Sequence, residues 1–157
     1  MVRSGGKRVK GGPEMFIGEY QHTLDAKGRI FVPAKFRDEL GEKFIVTIGL
    51  DRCLFVFPAQ TFNIYKEKLD AISLANKDAR NFTRFFFAGA AECELDKQGR
   101  IMLPQKLRVY ASLEKDVTVV GVSGRVEIWN TAEWDKDHSI ENFSPDEFSE
   151  KMELLGF

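Results

Sequence analysis

The 157 residues include few of the types that mark a disulfide-rich, metal-binding or membrane protein. The two cysteines, Cys53 and Cys93, form no C-x-x-C pair, which excludes a disulfide framework and a cysteine zinc site and indicates a reducing, cytoplasmic setting. The longest uncharged apolar stretch, residues 85–91, is far shorter than the ~18 residues that span a bilayer. The sequence therefore predicts one globular chain without metal, cofactor or membrane partner.

Catalytic patterns are also missing. The histidines, His22 and His138, have no carboxylate or second histidine at ligand spacing, and there is neither a G-x-S-x-G motif nor a phosphate-binding glycine loop. A catalytic group needs a tuned neighbour, and none is indicated here. We therefore expect no catalytic residues, no small-molecule substrate and no enzyme activity.

The formal net charge of −1 conceals a strong asymmetry along the chain. Residues 1–14 hold four basic side chains and one acidic side chain, and residues 15–126 hold seventeen basic and fourteen acidic ones. Residues 127–157 hold two basic and nine acidic ones. A basic body with an acidic C-terminal segment is compatible with an anionic partner, although charge alone does not identify it.

The most informative feature that is present is an internal repeat. Residues 24–37 recur as residues 95–108, with eight identical positions in the pattern L-D-x-x-G-R-I-x-x-P-x-K-x-R. The similarity extends in both directions, so that the repeated units cover about residues 16–62 and 87–134. A match of this length indicates a duplication.

Each unit predicts a strand, a tight turn, a short strand, a short helix and a hairpin. Asp25 and Asp96 are expected to cap the turns through their own backbone, and Gly28 and Gly99 to supply a positive φ. One such unit exposes strand edges and is marginal alone. We therefore expect the units to pair about a pseudo-two-fold axis as one compact α+β barrel, mostly β, which brings the two turns near each other.

Between and after the repeats, the apolar spacing becomes helical. A helical face from Phe62 to Ile72 precedes a second helix that Asn76 caps, and Ser144 opens a helix near the C-terminus. The predicted organisation is a basic disordered arm, a first repeat, a connecting helix, a second repeat and an acidic tail with a short helix: residues 1–14, 16–66, 67–86, 87–138 and 139–157.

The two turns carry the candidate binding residues. Arg29 and Arg100 each follow the turn glycine, and a guanidinium suits bidentate recognition of phosphate or guanine. Lys27 and Lys97 lie in the same turns, one position out of register with each other. The alternative is that each arginine pairs only with the aspartate four residues before it. The other repeated cations are expected to be solvated helix positions: Lys35, Arg37, Lys106 and Arg108.

The tandem motif, with M-F-I-G-E-Y before it and R-F-F-F-A-G-A-A-E-C-E between its copies, closely resembles the MraZ family of bacterial transcriptional regulators. The resemblance covers residues 15 to about 138. It implies two SpoVT–AbrB-like halves, of the swapped-hairpin, double-psi barrel type, and assembly into a ring-shaped homo-oligomer. It also implies nucleoid-associated, sequence-specific binding to short direct repeats in double-stranded DNA, generally with repression of the division and cell-wall gene cluster that includes the protein's own gene.

The resemblance also assigns roles to residues of the turns. The arginines of the D-x-x-x-R motif, which contact DNA in the family, correspond to Arg29 and Arg100. The loop lysine corresponds to Lys27, whereas the second copy has Gln98 there, so we expect the first copy to make the main base contacts. Two other classes stay open: a protein-binding ring whose basic turns make ion pairs between subunits, and an enzyme on a related double-psi barrel that cleaves its own backbone to generate a cofactor.

Overall fold

Both repeats fold in the predicted order of strand, turn, strand, helix and hairpin. The computed structural model describes residues 15–157, and the predicted basic arm 1–14 lies outside the described residues. The strands are β1 (Phe16–Thr23), β2 (Arg29–Phe31), β3 (Lys43–Ile48), β4 (Leu54–Pro58), β5 (Ala91–Glu94), β6 (Arg100–Met102), β7 (Asp116–Ser123) and β8 (Arg125–Asn130). The helices are α1 (Ala34–Leu40), α2 (Ala59–Asp70), α3 (Lys77–Ala88), α4 (Gln105–Tyr110), α5 (Thr131–His138) and α6 (Pro145–Leu154), with a 3-10 turn at Ile140–Asn142.

Six strands form one antiparallel sheet whose order is symmetric between the repeats. The order is β1-β7-β8-β4-β3-β5, so exchanging the equivalent strands of the two repeats reproduces it in reverse. At each end of the sheet, the first strand of one repeat pairs with the hairpin of the other repeat, β1 with β7 and β5 with β3. This exchange about a pseudo-two-fold axis confirms the predicted α+β, mostly β fold with duplicated halves.

The remaining strands, β2 and β6, form a separate antiparallel ribbon across the pseudo-two-fold axis. Ile30 pairs with Ile101 at its centre, and both side chains are buried in the core cluster. Burying an isoleucine stabilises the fold by roughly 1.5–3 kcal/mol, so these two side chains hold the ribbon against the core. The hydrogen bonds of the described strands do not run continuously round the core, and the expected barrel therefore consists of a sheet and a ribbon.

Two helices connect the repeats, and a third stands apart at the C-terminus. The chain leaves α2 after Asp70, and Asn76 starts α3 by accepting a hydrogen bond from the Ala79 N–H at 3.0 Å. Ser144 caps α6 through the Glu147 N–H at 3.3 Å, as the sequence predicts, but α6 has no buried residue. No described helix is both long and apolar enough to cross a membrane.

Candidate nucleic-acid interface

Residues 25–29 (the first turn) and 96–100 (the second turn) have the same hydrogen-bond geometry. In the first turn, Asp25 Oδ1 accepts hydrogen bonds from the backbone N–H groups of Lys27 and Arg29 at 3.0 and 2.8 Å. In the second turn, Asp96 Oδ1 accepts from the N–H groups two and four residues further on, both at 2.9 Å. Each aspartate therefore closes its turn through its own side chain, as the repeated sequence predicts.

Each turn arginine is held by the same aspartate that closes the turn. Arg29 Nε donates to Asp25 Oδ2 at 2.7 Å, and Arg100 Nε donates to Asp96 Oδ2 at 2.9 Å. The ion pair considered as an alternative in the sequence analysis is thus present in both turns. It occupies only Nε, and no described residue accepts a hydrogen bond from the Nη atoms of either arginine. The pair consequently orients a guanidinium whose two terminal nitrogens have no acceptor among residues 15–157.

The aspartates remain ionised because the turns hydrogen-bond to their charged form. Hydrogen bonds from the backbone N–H of Arg29, and next from its side chain, lower the pKa of Asp25 below its usual range, although burial opposes this. The backbone and side chain of Arg100 lower the pKa of Asp96 in the same way. Both ion pairs therefore persist throughout the neutral pH range.

The ribbon presents both arginines on its outward face. Arg29 lies opposite Met102, and Arg100 lies opposite Phe31, whereas the intervening isoleucines point inward. The arginines are thus diagonal neighbours, a relation in which residues of antiparallel strands are roughly 7–8 Å apart. Met102 and Phe31 are 58% and 43% exposed, and the Arg100 guanidinium carbon lies 5.8 Å from the centre of the Phe31 ring.

Each turn glycine is required by its own backbone and by an arginine of the other repeat. Gly28 and Gly99 have φ values of 84° and 82°, a backbone region that residues with a Cβ rarely adopt. A Cβ on Gly28 would lie 2.7 Å from Arg108 Cζ, and one on Gly99 would collide with the Arg37 guanidinium. The exchanged topology thus places a cation from one repeat over the turn of the other.

The interpretation of Arg37 and Arg108 as solvated helix positions is therefore wrong. Arg37 Nε donates to the Val32 carbonyl and Arg108 Nε to the Leu103 carbonyl, both at 2.9 Å, and both side chains are partly buried. Their identity in the two copies was the signal that could have singled them out. Only the exchange of strands between repeats, which is a long-range feature, shows which turn each one covers.

The four lysines singled out from the sequence are all exposed to solvent. Lys27 and Lys97 are exposed at the tips of the two turns, and Lys35 and Lys106 are exposed on α1 and α4. All eight predicted site residues belong to the two turns that the ribbon joins: Asp25, Lys27, Gly28, Arg29, Asp96, Lys97, Gly99 and Arg100. We call this surface, with Arg37 and Arg108, the turn face.

The described residues offer no metal centre beside this face, because they contain no group of three potential His, Cys, Asp or Glu ligands. Both cysteines are buried and free. Burial raises the pKa of Cys93 to about 11 and that of Cys53 still further. Neither thiol is therefore appreciably ionised at neutral pH, and their contribution is to the core.

The fold is that of an internally duplicated α+β protein, and its turn face places several cationic side chains on and around the β2–β6 ribbon. A surface of this kind suits a polyanionic partner. The chain belongs to the MraZ family, whose sequence profile, described as “MraZ protein, putative antitoxin-like”, matches residues 15–85 and 86–153. The resemblance noted from the repeats is thereby confirmed. Proteins of this family are transcriptional regulators and not enzymes.

Curated relatives support the same assignment over nearly their whole length. The chain is 58% identical over 138 residues to a protein of Carboxydothermus hydrogenoformans, covering 88% of this chain and 96% of the relative. It is 56% identical over 142 residues to one of Alkaliphilus oremlandii, covering 90% and 99%. A protein of Acetivibrio thermocellus is 55% identical with the same coverage, and all three are named “Transcriptional regulator MraZ”.

Proposed function

We propose that this chain binds double-stranded DNA sequence-specifically through the turn face. We propose further that it represses the division and cell-wall gene cluster that includes its own gene. The observation that carries the proposal is the pair of arginines, Arg29 and Arg100, held by aspartates on the outward face of one ribbon with Nη atoms that donate to none of the described residues. Membership of a family of transcriptional regulators also supports DNA binding.

The ribbon supplies a direct mechanism of readout. A two-stranded β-ribbon fits the major groove of B-DNA, where arginine recognises the O6 and N7 atoms of guanine with two hydrogen bonds. Phe31 and Met102, exposed beside the arginines, are suited to apolar contact with thymine methyl groups. Lys27 and Lys97 at the turn tips add phosphate contacts, which position the ribbon without reading sequence.

Assembly would convert weak single contacts into specific binding. One turn face neutralises only a few phosphates, so a single chain would bind weakly, with a salt dependence that grows with each further phosphate contacted. A ring-shaped homo-oligomer presents several turn faces at fixed spacing, and short direct repeats then engage successive subunits as intramolecular events. Such a regulator acts where the DNA is, in association with the nucleoid.

The internal ion pairs argue against the scaffold alternative. In a ring without DNA, the turn arginines would pair with carboxylates of neighbouring subunits. Here Arg29 and Arg100 pair with Asp25 and Asp96 of the same turns, at 2.7 and 2.9 Å. Each arginine thus already has a carboxylate partner for its charge within its own turn, and only its Nη atoms remain available to another partner.

Fluorescence anisotropy tests the proposal with the DNA upstream of the protein's own gene and a scrambled duplex of the same composition, at two salt concentrations. We expect preferential binding to the upstream DNA, with the logarithm of the affinity falling by about 0.9 per neutralised phosphate for each unit of log salt. Equal affinity for both duplexes, or an affinity independent of salt, would refute it.

The Arg29→Ala variant links that binding to the turn face. It should lose specific binding and keep the oligomeric state of the unmodified chain, because Arg29 pairs only within its own turn. Lys68→Ala, which removes one positive charge from α2, is the matched control and should bind like the unmodified chain. Full affinity of Arg29→Ala for the upstream DNA would exclude the role assigned to Arg29.

A further inference from the structure

The helices between the repeats leave an apolar groove open beside the β3–β4 hairpin. The groove has a volume of about 490 Å³, and its lining is mainly aromatic. Phe85 and Phe82 are 71% and 50% exposed on α3, although Phe86 beside them is buried. We call this surface the aromatic groove and define it by Leu50, Phe55, Tyr65, Leu69, Phe82 and Phe85.

Arginines surround the aromatic groove. Arg80 and Arg84 line a hollow that adjoins it through Leu69. Arg125 lines the groove itself, 4.7 Å over the Phe55 ring, but its charge is paired with Glu127 at 2.8 Å, so Arg80 and Arg84 are the cations beside the groove. The carboxylate of that hollow, Asp70, is already paired with Lys66 at 2.7 Å. An occupant with apolar side chains and negative charge would therefore complement this surface.

The C-terminal segment of the same chain has the complementary character. Phe148 and Met152 on α6 and Leu155 at its C-cap follow the i, i+4, i+7 spacing of one helix face and are 55%, 38% and 77% exposed. Phe143 extends this stripe by packing 5.3 Å from the Phe148 ring. Beside one lysine, Lys151, residues 139–157 carry five carboxylates: Glu141, Asp146, Glu147, Glu150 and Glu153.

We propose that residues 139–157 of one copy dock into the aromatic groove of a neighbouring copy. The apolar stripe of α6 would fill the groove, and its flanking carboxylates would face Arg80 and Arg84. Because donor and acceptor surfaces are different parts of the same chain, the contact is heterologous and closes as a ring when its rotation permits. The inference deepens the proposed function, on whose ring-shaped oligomer it rests, by assigning the interface that builds the ring.

Two surface variants test the contact by sedimentation velocity. The tail variant carries Phe148→Ser and Leu155→Ser, and the groove variant carries Phe82→Asp and Phe85→Asp. All four side chains are exposed within the chain, so both variants should fold, which circular dichroism checks. We expect each variant to sediment as a monomer of about 17.9 kDa, whereas the unmodified chain forms larger oligomers.

Matched controls separate docking from a general effect of surface polarity. Leu154→Ser removes an 86% exposed side chain of α6 that lies off the stripe, and Ile64→Ser removes a 52% exposed side chain of α2 outside the groove. Both controls should assemble like the unmodified chain. Unchanged assembly of the tail or groove variant would overturn the proposal, as would an unmodified chain that is monomeric.

Mixing the two variants tests whether docking occurs between copies. The groove variant keeps an intact tail and the tail variant keeps an intact groove, so an equimolar mixture should form heterodimers and nothing larger. A mixture that stays monomeric at the highest concentration that the unmodified chain tolerates would overturn the proposal, because docking within one chain predicts that result.

DNA binding through the turn face can be tested independently of docking between copies. The turn face is intact in both docking variants, so they should retain weak, salt-dependent binding to a duplex with one repeat and lose the gain from several repeats. Arg29→Ala should show the opposite pattern, with full assembly and no specific binding. Loss of assembly in Arg29→Ala would contradict the separation of the two surfaces.

Discussion

The first and second turns share a backbone but differ in the side chains around it. Their aspartates, glycines and arginines make equivalent hydrogen bonds, with Nε–Oδ2 distances of 2.7 and 2.9 Å. At the position before the glycine, however, the first turn has Lys27 and the second has Gln98. On the ribbon, Arg29 lies beside Met102 and Arg100 beside Phe31. The duplication thus preserves what holds the arginines and varies what surrounds them.

The charged residues around the two turns also differ. The hollow beside Arg37, which covers the second turn, is lined by Asp38, Glu42 and Glu94. Beside the first turn, the position equivalent to Glu94 is Thr23 and the position equivalent to Asp38 is Val109. Neither residue carries a charge. At these two positions the second turn is flanked by carboxylates that the first turn lacks, whereas the strand register places Asp116 opposite Thr23 and Lys43 opposite Glu94. Two turns of equal geometry should contribute unequally to binding a polyanion.

The shared geometry predicts equal and large effects of glycine substitution. Gly28→Ala and Gly99→Ala should each lower the free energy of unfolding by about 1–3 kcal/mol, because alanine is strained at a positive φ and its Cβ meets a guanidinium. Urea denaturation measures both. Gly124→Ala, where a Cβ meets nothing within 4 Å, is the control and should be nearly neutral. A large difference between Gly28→Ala and Gly99→Ala would show that the turns are not equivalent.

The arginines that cover the turns should separate stability from binding. Arg108→Ala and Arg37→Ala each remove one hydrogen bond to a carbonyl, so each should lower the free energy of unfolding by about 1 kcal/mol. DNA affinity should fall more for Arg108→Ala, because Arg108 covers the first turn, which lacks counterparts of the carboxylates Asp38 and Glu94. Urea denaturation and anisotropy measure the two effects, and equal losses of affinity would remove the proposed inequality.

Acid should weaken both turns. The pKa values of Asp25 and Asp96 are lowered in the fold, so their contribution to stability is complete above the unfolded value of about 3.9 and is lost as pH falls toward the folded values. In Asp25→Asn with Asp96→Asn, the free energy of unfolding should vary less with pH below about 4. Asp135→Asn, an exposed control on α5, should retain the full dependence. An unchanged dependence in the double variant would count against both ion pairs.

The smallest effect tests the surrounding charge directly. Asp38→Val with Glu94→Thr removes two carboxylates from beside the second turn and should raise DNA affinity, at about 0.2–1 kcal/mol for each exposed charge. The reciprocal variant, Thr23→Glu with Val109→Asp, should lower it. Anisotropy at low salt measures both, since screening reduces the effect as salt rises. Unchanged affinity in both variants would mean that these charges lie outside the contact.

Local signals in the sequence predict much of the fold and of the site. The Asp-x-x-Gly-Arg turns, the cap at Asn76 and the opening of α6 at Ser144 depend on neighbours within a few residues, and the structure has all of them. The duplication additionally indicates the pseudo-two-fold axis. The partners across that axis depend on which strands pair, and for that reason the positions of Arg37 and Arg108 over the opposite turns were not predicted.

The exposed apolar surfaces illustrate a second limit of local patterns. The helical spacing of α3 predicts that Phe86 points inward, and it is buried, but the spacing does not show that Phe82 and Phe85 stay exposed. That outcome is set by how α2 and α3 pack on the β3–β4 hairpin. Likewise, the amphipathic pattern of α6 predicts a helix and gives no indication that the chain itself leaves its apolar face uncovered.

The most direct test of the central claim, that the two turn arginines contact DNA unequally, is the salt dependence of binding to the upstream DNA for the unmodified chain, Arg29→Ala and Arg100→Ala. We predict a weaker affinity for both variants, with Arg29→Ala losing about 1–3 kcal/mol for each turn face in contact, which removes specific binding when several subunits engage, and Arg100→Ala losing less. Variants that bind with the affinity and salt slope of the unmodified chain would contradict the claim.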